Sequence, residues 1–187
     1  MLYFSMKNTI KFLLSSSLII GLLATQSCKK DPPQNETNEV ITTLHIVATD
    51  TASGVEQVFT FRDLDGDKPN PPSQFDSIVL SPSSGYAVKL VLLNESVNPT
   101  DSISNEILGE ADDHLFVFKP SSSTLLSIAI TDKDSKNLPL GLNSIWRTGN
   151  AGRGTTQIIL RHQASTKNGT ESPGESDIEL SFVTVVR

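Results

Sequence analysis

The final stretch of the chain alternates almost without fault, with Ile178, Leu180 and Phe182 on one side and Glu179 and Ser181 on the other. A period of two belongs to a strand with one buried and one wet face, because successive side chains of a strand point to opposite sides. The same period recurs from Val40 onward. Val40, Leu44 and Ile46 share a face opposite Thr43 and His45, and Val55, Phe59 and Phe61 alternate with Glu56, Thr60 and Arg62. Further strands are predicted at residues 75–80, 86–93, 115–118, 124–131, 140–147, 156–162 and 177–186. Gly, Pro, Asn and Asp separate these runs, as turn geometry requires. The pattern predicts an all-β fold, an antiparallel β-sandwich (Ig-like or related) of about eight or nine strands.

One segment departs from the period. Asp101 can cap a helix from Ser102 to about Asp113 with Ile103, Ile107 and Ala111 on its apolar stripe, although Gly109 weakens it by about 1 kcal/mol relative to alanine. We expect one short crossover helix between strands. The lone Trp146, in a predicted strand, is expected in the core, with an exposed stacking surface as the alternative.

The first residues carry an address. Met6-Lys7-Asn8-Thr9-Ile10-Lys11 supplies a charged start, and an apolar run follows from Phe12 to Ala24. That run suits a removable signal and falls short of the roughly 20 residues needed to span a bilayer. Thr25-Gln26-Ser27-Cys28 follows, and small Ser27 before a cysteine is the arrangement cut by lipoprotein signal peptidase. Thr25 and Gln26 depart from the usual lipobox, which prefers an apolar residue three before the cysteine. The alternative is an ordinary secretory signal. Residues 1–27 are therefore expected as a lipoprotein signal peptide, Cys28 as the lipidated residue, and residues 28–39 as a polar tether. Residues 40–187 then form a single domain. Several acyl chains on Cys28 would give durable membrane anchoring.

Cys28 is the single cysteine, which excludes an intrachain disulfide and a thiolate metal cluster. Lys7 and Lys11 precede Cys28 and no acidic residue does, so the cleaved chain keeps 13 of its 15 basic residues against 21 acidic ones. An excess of eight negative charges repels phosphate backbones, and no nucleic-acid partner is expected. It favours cations, or serves solubility alone.

Two residue sets have metal-ligand chemistry. Asp63, Asp65 and Asp67 stand at alternate positions of a glycine-containing turn with Asn70 nearby, a pattern able to converge oxygens on calcium. Lys68 stands where calcium-stapled repeats prefer glycine. Asp132 and Asp134 form a similar turn weakened by Lys133 and Lys136. The second set is Glu110, His114 and His162, able to hold zinc or copper if the fold joins them. Glu106, Glu110 and His114 are spaced by four, which would stack them along the predicted helix. Each set also has a bland reading as solvated or packed residues. No Gly-x-Ser-x-Gly elbow, His-Glu-x-x-His pair or Gly-x-Gly-x-x-Gly loop occurs, so no catalytic residues are assigned and an enzyme is not expected.

Phe61-Arg62-Asp63-Leu64-Asp65-Gly66-Asp67, Leu92-Leu93-Asn94-Glu95-Ser96, Glu110-Ala111-Asp112-Asp113-His114, Thr131-Asp132-Lys133-Asp134 and Leu160-Arg161-His162 together resemble short Bacteroidota outer-membrane lipoproteins. Cys28-Lys29-Lys30-Asp31 is similar to the charged signals that direct such proteins to the cell surface. The resemblance implies a lipid-anchored protein of the outer membrane, on its surface or periplasmic face, and carries no particular activity. Some of the group bear the name "type 1 periplasmic binding fold". That name implies two α/β lobes, whereas the alternation here predicts a sandwich.

The expected function is a membrane-anchored, non-enzymatic binding module that captures a cation or small ligand, accessory to an outer-membrane receptor or importer. A structural or adhesive surface domain is the second reading, and a metal-dependent enzyme the third.

Overall fold

The structure is a computed structural model and describes residues 39–66 and 70–187. The signal segment, Cys28, most of the tether and Asp67 lie outside the described residues, and so do the expectations placed on them.

Two of the alternating runs form the central strands of a six-stranded sheet. β1 (Thr43–Asp50) buries Leu44, Ile46 and Ala48 completely, on the face the sequence assigns inward. It pairs antiparallel with β2 (Glu56–Arg62), Leu44 opposite Phe61, and on its other side with β5 (Gly85–Leu93), Leu44 opposite Leu92. β3 (Gln74–Phe75) extends the β2 edge, while β8 (Asn143–Thr148) and β7 (Leu126–Ile130) continue from β5. The second sheet runs β4 (Ile78–Leu80), β10 (Glu175–Val186), β9 (Gly152–His162) and β6 (His114–Pro120). All pairings are antiparallel except β4 with β10. Among the described residues ten strands in two sheets make an all-β sandwich, as the alternation predicts.

The two sheets close on one apolar layer. Tyr86, Leu90, Leu92 and Trp146 from the first sheet meet Ile78, Phe116, Ile158, Leu160 and Phe182 from the second, all inaccessible to water. Each such side chain contributes roughly 1.5–3 kcal/mol by leaving water. The two polar handles are satisfied: Trp146 Nε1 donates to Ser144 Oγ at 2.9 Å, and the Tyr86 hydroxyl accepts from the Ser81 amide at 2.9 Å. Trp146 is therefore a core residue.

Several boundaries differ from the sequence reading, two of them with a clear physical cause. Residues 75–80, expected as one strand, divide into β3 and β4, which belong to different sheets. Asp76 and Ser77 form the crossing, and the Asp76 carboxylate fixes it by accepting from the Thr60 amide at 2.9 Å. Leu140 and Leu142 are buried but precede β8, because Gly141 turns the chain there with φ +101. Its missing side chain admits Phe116, whose Cβ would lie 2.6 Å from an added Cβ.

The helix is shorter than expected. α1 (Ile103–Gly109) buries Ile103 and Ile107 and ends at Gly109, with the Glu110 amide bonded back to the Glu106 carbonyl. Among the described residues no helix is long and apolar enough to cross a membrane.

Candidate functional site

His114 and His162 stand directly opposite each other, as the first residue of β6 and the last of β9. Paired positions on neighbouring strands hold their side chains side by side. The two imidazoles stack with centroids 4.8 Å apart and planes 13° from parallel. His114 is fully buried, and its Nδ1 lies 3.1 Å from the Glu110 carbonyl. A carbonyl only accepts, so Nδ1 carries the proton of that bond. Nε2 is left facing inward.

Acidic groups surround Nε2. Glu39 Oε1 lies 2.9 Å away and Asp177 Oδ2 3.9 Å away. Asp177 reaches this position through an irregularity: β9 and β10 are in register at Ser176–Arg161 and again at Ile178–Leu160, leaving Asp177 as the extra residue of a bulge. A bulge turns a side chain away from the side that strict alternation assigns it. Asp177 would otherwise point outward like Glu179; instead its side chain is closed to solvent. The loop leading to the bulge is held tightly. The Gln163 amide donates to the Thr170 and Pro173 carbonyls at 2.8 and 2.7 Å, and Gly174, at φ +90, lies so close that an added Cβ would fall 2.0 Å from the His162 carbonyl.

The buried groups at this end are poorly partnered. Among the described residues Asp177 Oδ1 and Oδ2, Glu39 Oε2, His114 Nε2 and Arg161 Nε have no hydrogen bond in proper geometry. Buried polar atoms are nearly always satisfied, so five together require an explanation. Arg161 otherwise donates through one terminal nitrogen to Ser176 Oγ at 2.7 Å and through the other to the Gly174 carbonyl.

The electrostatics agree with the crowding. Burial pushes the Asp177 carboxyl up, the neighbouring Glu39 charge and hydrogen bond push it further, and it reaches about 7 despite His114 and Arg161. Burial also opposes ionisation of Glu39, but the hydrogen bond and charge of His114 outweigh it and hold that carboxyl below its ordinary value. Burial works against a charged His114, and Glu39 overcomes it, raising the imidazole. Glu106 is raised by burial and by the charges of Asp101, Glu39 and Glu110.

Two overlapping groups of these side chains bring ligand atoms close together. His114, His162 and Asp177 each offer a ligand atom within 4.8 Å of the others, and so do Glu39, Glu110 and His114. Of the expected set, His114 groups with His162 on one side and with Glu110 on the other, Glu110 and His162 do not share a group among the described residues, and no helical stack forms. α1 stops before Glu110, and His114 begins a strand because the chain must turn at residues 110–113 to enter the second sheet. Sequence reasoning missed Glu39, assigned to the tether, and Asp177, taken only as the first residue of the last strand.

A cleft of 490 Å³ runs from Glu39 and Asp177 along Ile41, Phe61 and Glu179 to Asp63 and Gly66 of the acidic turn. In that turn the Asp65 amide donates to Asp63 Oδ1 at 3.3 Å, and the Asp63 carboxyl is raised chiefly by its hydrogen bond with the Asp65 side chain. Asn70 donates from Nδ2 to Asp65 Oδ2 at 2.7 Å, so it presents a nitrogen there and not the oxygen a calcium site uses. Asp67 lies outside the described residues.

The second acidic turn serves the fold. Asp132 accepts from the Gly141 and Asn143 amides at 2.7 and 2.9 Å. Asp134 accepts from the Lys136 and Leu138 amides and pairs with Lys167 Nζ at 2.9 Å. His45, outward on β1, is occupied by Thr60 Oγ1 at 2.9 Å.

No family model, curated protein or solved structure matches the chain. The reading of the site therefore rests on its own chemistry.

Proposed function

We propose that this chain is a lipid-anchored, non-enzymatic binding module of the outer membrane that captures a cation where Glu39, His114, His162 and Asp177 meet. One observation carries the reading: the Asp177 side chain is sealed from solvent, its nearest polar neighbours are an imidazole and a second carboxylate with which it shares a hydrogen bond, and no N–H group donates to either of its oxygens. An ionised carboxylate in that position costs several kcal/mol unless a positive charge compensates it. Arg161 supplies part of this charge, and a bound cation would supply the rest while filling the open positions on His114 and Glu39.

Support for the anchor comes from the sequence, in the apolar run that ends at Ser27-Cys28. The acidic surplus and the carboxylate-lined cleft suit a module that gathers cations outside the cell, as an accessory to an importer or receptor.

The test is elemental analysis of the full chain purified without chelator, with mass spectrometry of its N-terminal peptide. The reading predicts about one equivalent of a divalent cation and an acylated Cys28. A metal-free protein that takes up no cation on dialysis would end the capture reading. A free thiol on a chain that keeps its leader would end the anchor.

A further inference from the structure

We propose that the cation is a divalent transition metal of the zinc class, held by His114 Nε2, His162 and Asp177 and closed by Glu39. This deepens the capture reading and rests on it.

The donor set selects the metal. Calcium and magnesium take six or more oxygens, whereas two imidazoles with carboxylates suit zinc, copper, nickel or cobalt. Zinc ligands lie about 2.0–2.2 Å from the ion, which places tetrahedral neighbours roughly 3.3–3.6 Å apart. The three strand-borne ligand atoms already lie within 4.8 Å of one another, and His114 Nε2 stands 2.9 Å from Glu39 and 3.9 Å from Asp177. Sharing one ion would require His162 to rotate out of its stack on His114, since lone pairs of parallel rings run side by side.

The arrangement behind His114 points the same way. A metal-bound histidine usually gives its second ring N–H to a carbonyl or carboxylate, which fixes the tautomer and leaves the other nitrogen free to bind. The Glu110 carbonyl occupies that position on Nδ1. Nε2 then confronts carboxylate oxygens, and without a proton shared with Glu39 it offers them only a lone pair. Something positive must lie between. A proton satisfies one pair of atoms, whereas a metal ion accepts lone pairs from all four residues. The contact of Nε2 with Glu39 Oε1, beside two Asp177 oxygens and a Glu39 Oε2 that accept from no N–H group, is the pattern that four-fold sharing explains.

Glu39 has a separate position. The other three ligands come from strand ends of one sheet, while Glu39 precedes β1 and lines the cleft. Its side chain keeps 12% exposure where His114 and Asp177 have none. It is the ligand through which an ion from the cleft would enter. Arg161 stands beside Asp177 and works against a cation, and the carboxylates of Glu39, Asp177, Glu106 and Glu110 outnumber it.

Cobalt titration of the full chain, stripped with chelator, tests the assignment. We expect visible d–d absorption that saturates at one equivalent and is erased by zinc. His162→Gln and Asp177→Asn should each weaken cobalt binding by more than about 10-fold, the lower end of what even an outer-shell substitution does. His162 is only half-buried, and far-UV circular dichroism of both variants should match the parent. Binding of calcium at this cluster without cobalt absorption would overturn the zinc-class assignment and leave cation capture standing. Cobalt absorption unchanged in both variants would place the metal elsewhere and overturn the ligand set. Binding of neither ion would remove both proposals and leave a proton shared by Glu39 and Asp177.

Discussion

Two groups of buried charge lie near the start of β6, and they are finished to different degrees. In the first, Lys167 Nζ meets Asp134 Oδ2 at 2.9 Å and donates to the Ala111 carbonyl at 2.8 Å, while Asp134 Oδ1 accepts two backbone amides. In the second, the Asp177 side chain is likewise closed to solvent but lies deeper, and it accepts from no amide. A folded chain that surrounds one aspartate with donors has the means to do so for another. The first group fastens the loop after residue 132 to the loop after β9. The second has no such donors on Asp177, and the proposed binding site rests on that difference.

The largest effect should come from breaking the staple. Lys167→Met leaves Asp134 without its cation, and removing one partner of such a pair costs about 3–5 kcal/mol. The pair lies shallowly beneath the surface, so the lower end, about 3 kcal/mol, is expected from urea unfolding in chelator. Next is the effect of metal on the parent protein. Zinc at 100 times its dissociation constant should stabilise it by about 2.7 kcal/mol, and Asp177→Asn should lose this increment.

In chelator the same Asp177→Asn substitution should behave unlike any change to the staple. It removes a crowded charge, so stability should hold or rise, within about 1 kcal/mol of the parent. A loss as large as that of Lys167→Met would mean that Asp177 is structural.

A smaller, pH-dependent effect sharpens the contrast. Burial raises the Asp134 carboxyl, but Lys167 and the amides of Leu138 and Lys136 outweigh it and leave it below 3.8. A depressed carboxyl adds stability above its unfolded value and loses it as pH falls through the folded one. The deficit of Asp134→Asn relative to the parent should therefore be constant near neutrality and shrink below about pH 4. Urea midpoints measured from pH 6 to pH 3 check it. The smallest effect belongs to the exposed acidic turn, where Asp65→Asn should leave the cobalt stoichiometry and affinity unchanged in the same titration.

The sandwich was legible because alternation reports the buried face directly, and Leu44, Ile46, Leu180 and Phe182 lie where it assigns them. Its exceptions are places where the period is interrupted. Residues 75–80 read as one strand since nothing in Asp76-Ser77 marks a change of sheet. His114 was assigned to a helix because the spacing of Glu106, Glu110 and His114 fits one, yet Gly109 ends α1 and the strand period of Leu115 to Phe118 extends backward by one residue. His114 and His162 were legible as candidates, whereas their pairing depends on the register of β6 against β9. Asp177 was hidden by the bulge. The one local hint was Pro173-Gly174 shortly before it, since such a pair disturbs regular pairing. Glu39 was hidden by its polar neighbours, which make residues 28–39 read as a uniform tether.

The central claim is that the unpartnered atoms around Asp177 await a metal ion. Anomalous diffraction from crystals of the chain grown with zinc, recorded on both sides of the zinc edge, tests it most directly. The account predicts one strong peak within bonding distance of His114 Nε2, His162 and Asp177. Peaks confined to the acidic turn or the outer surface, with His114 still stacked on His162 and no density between them and Asp177, would contradict it.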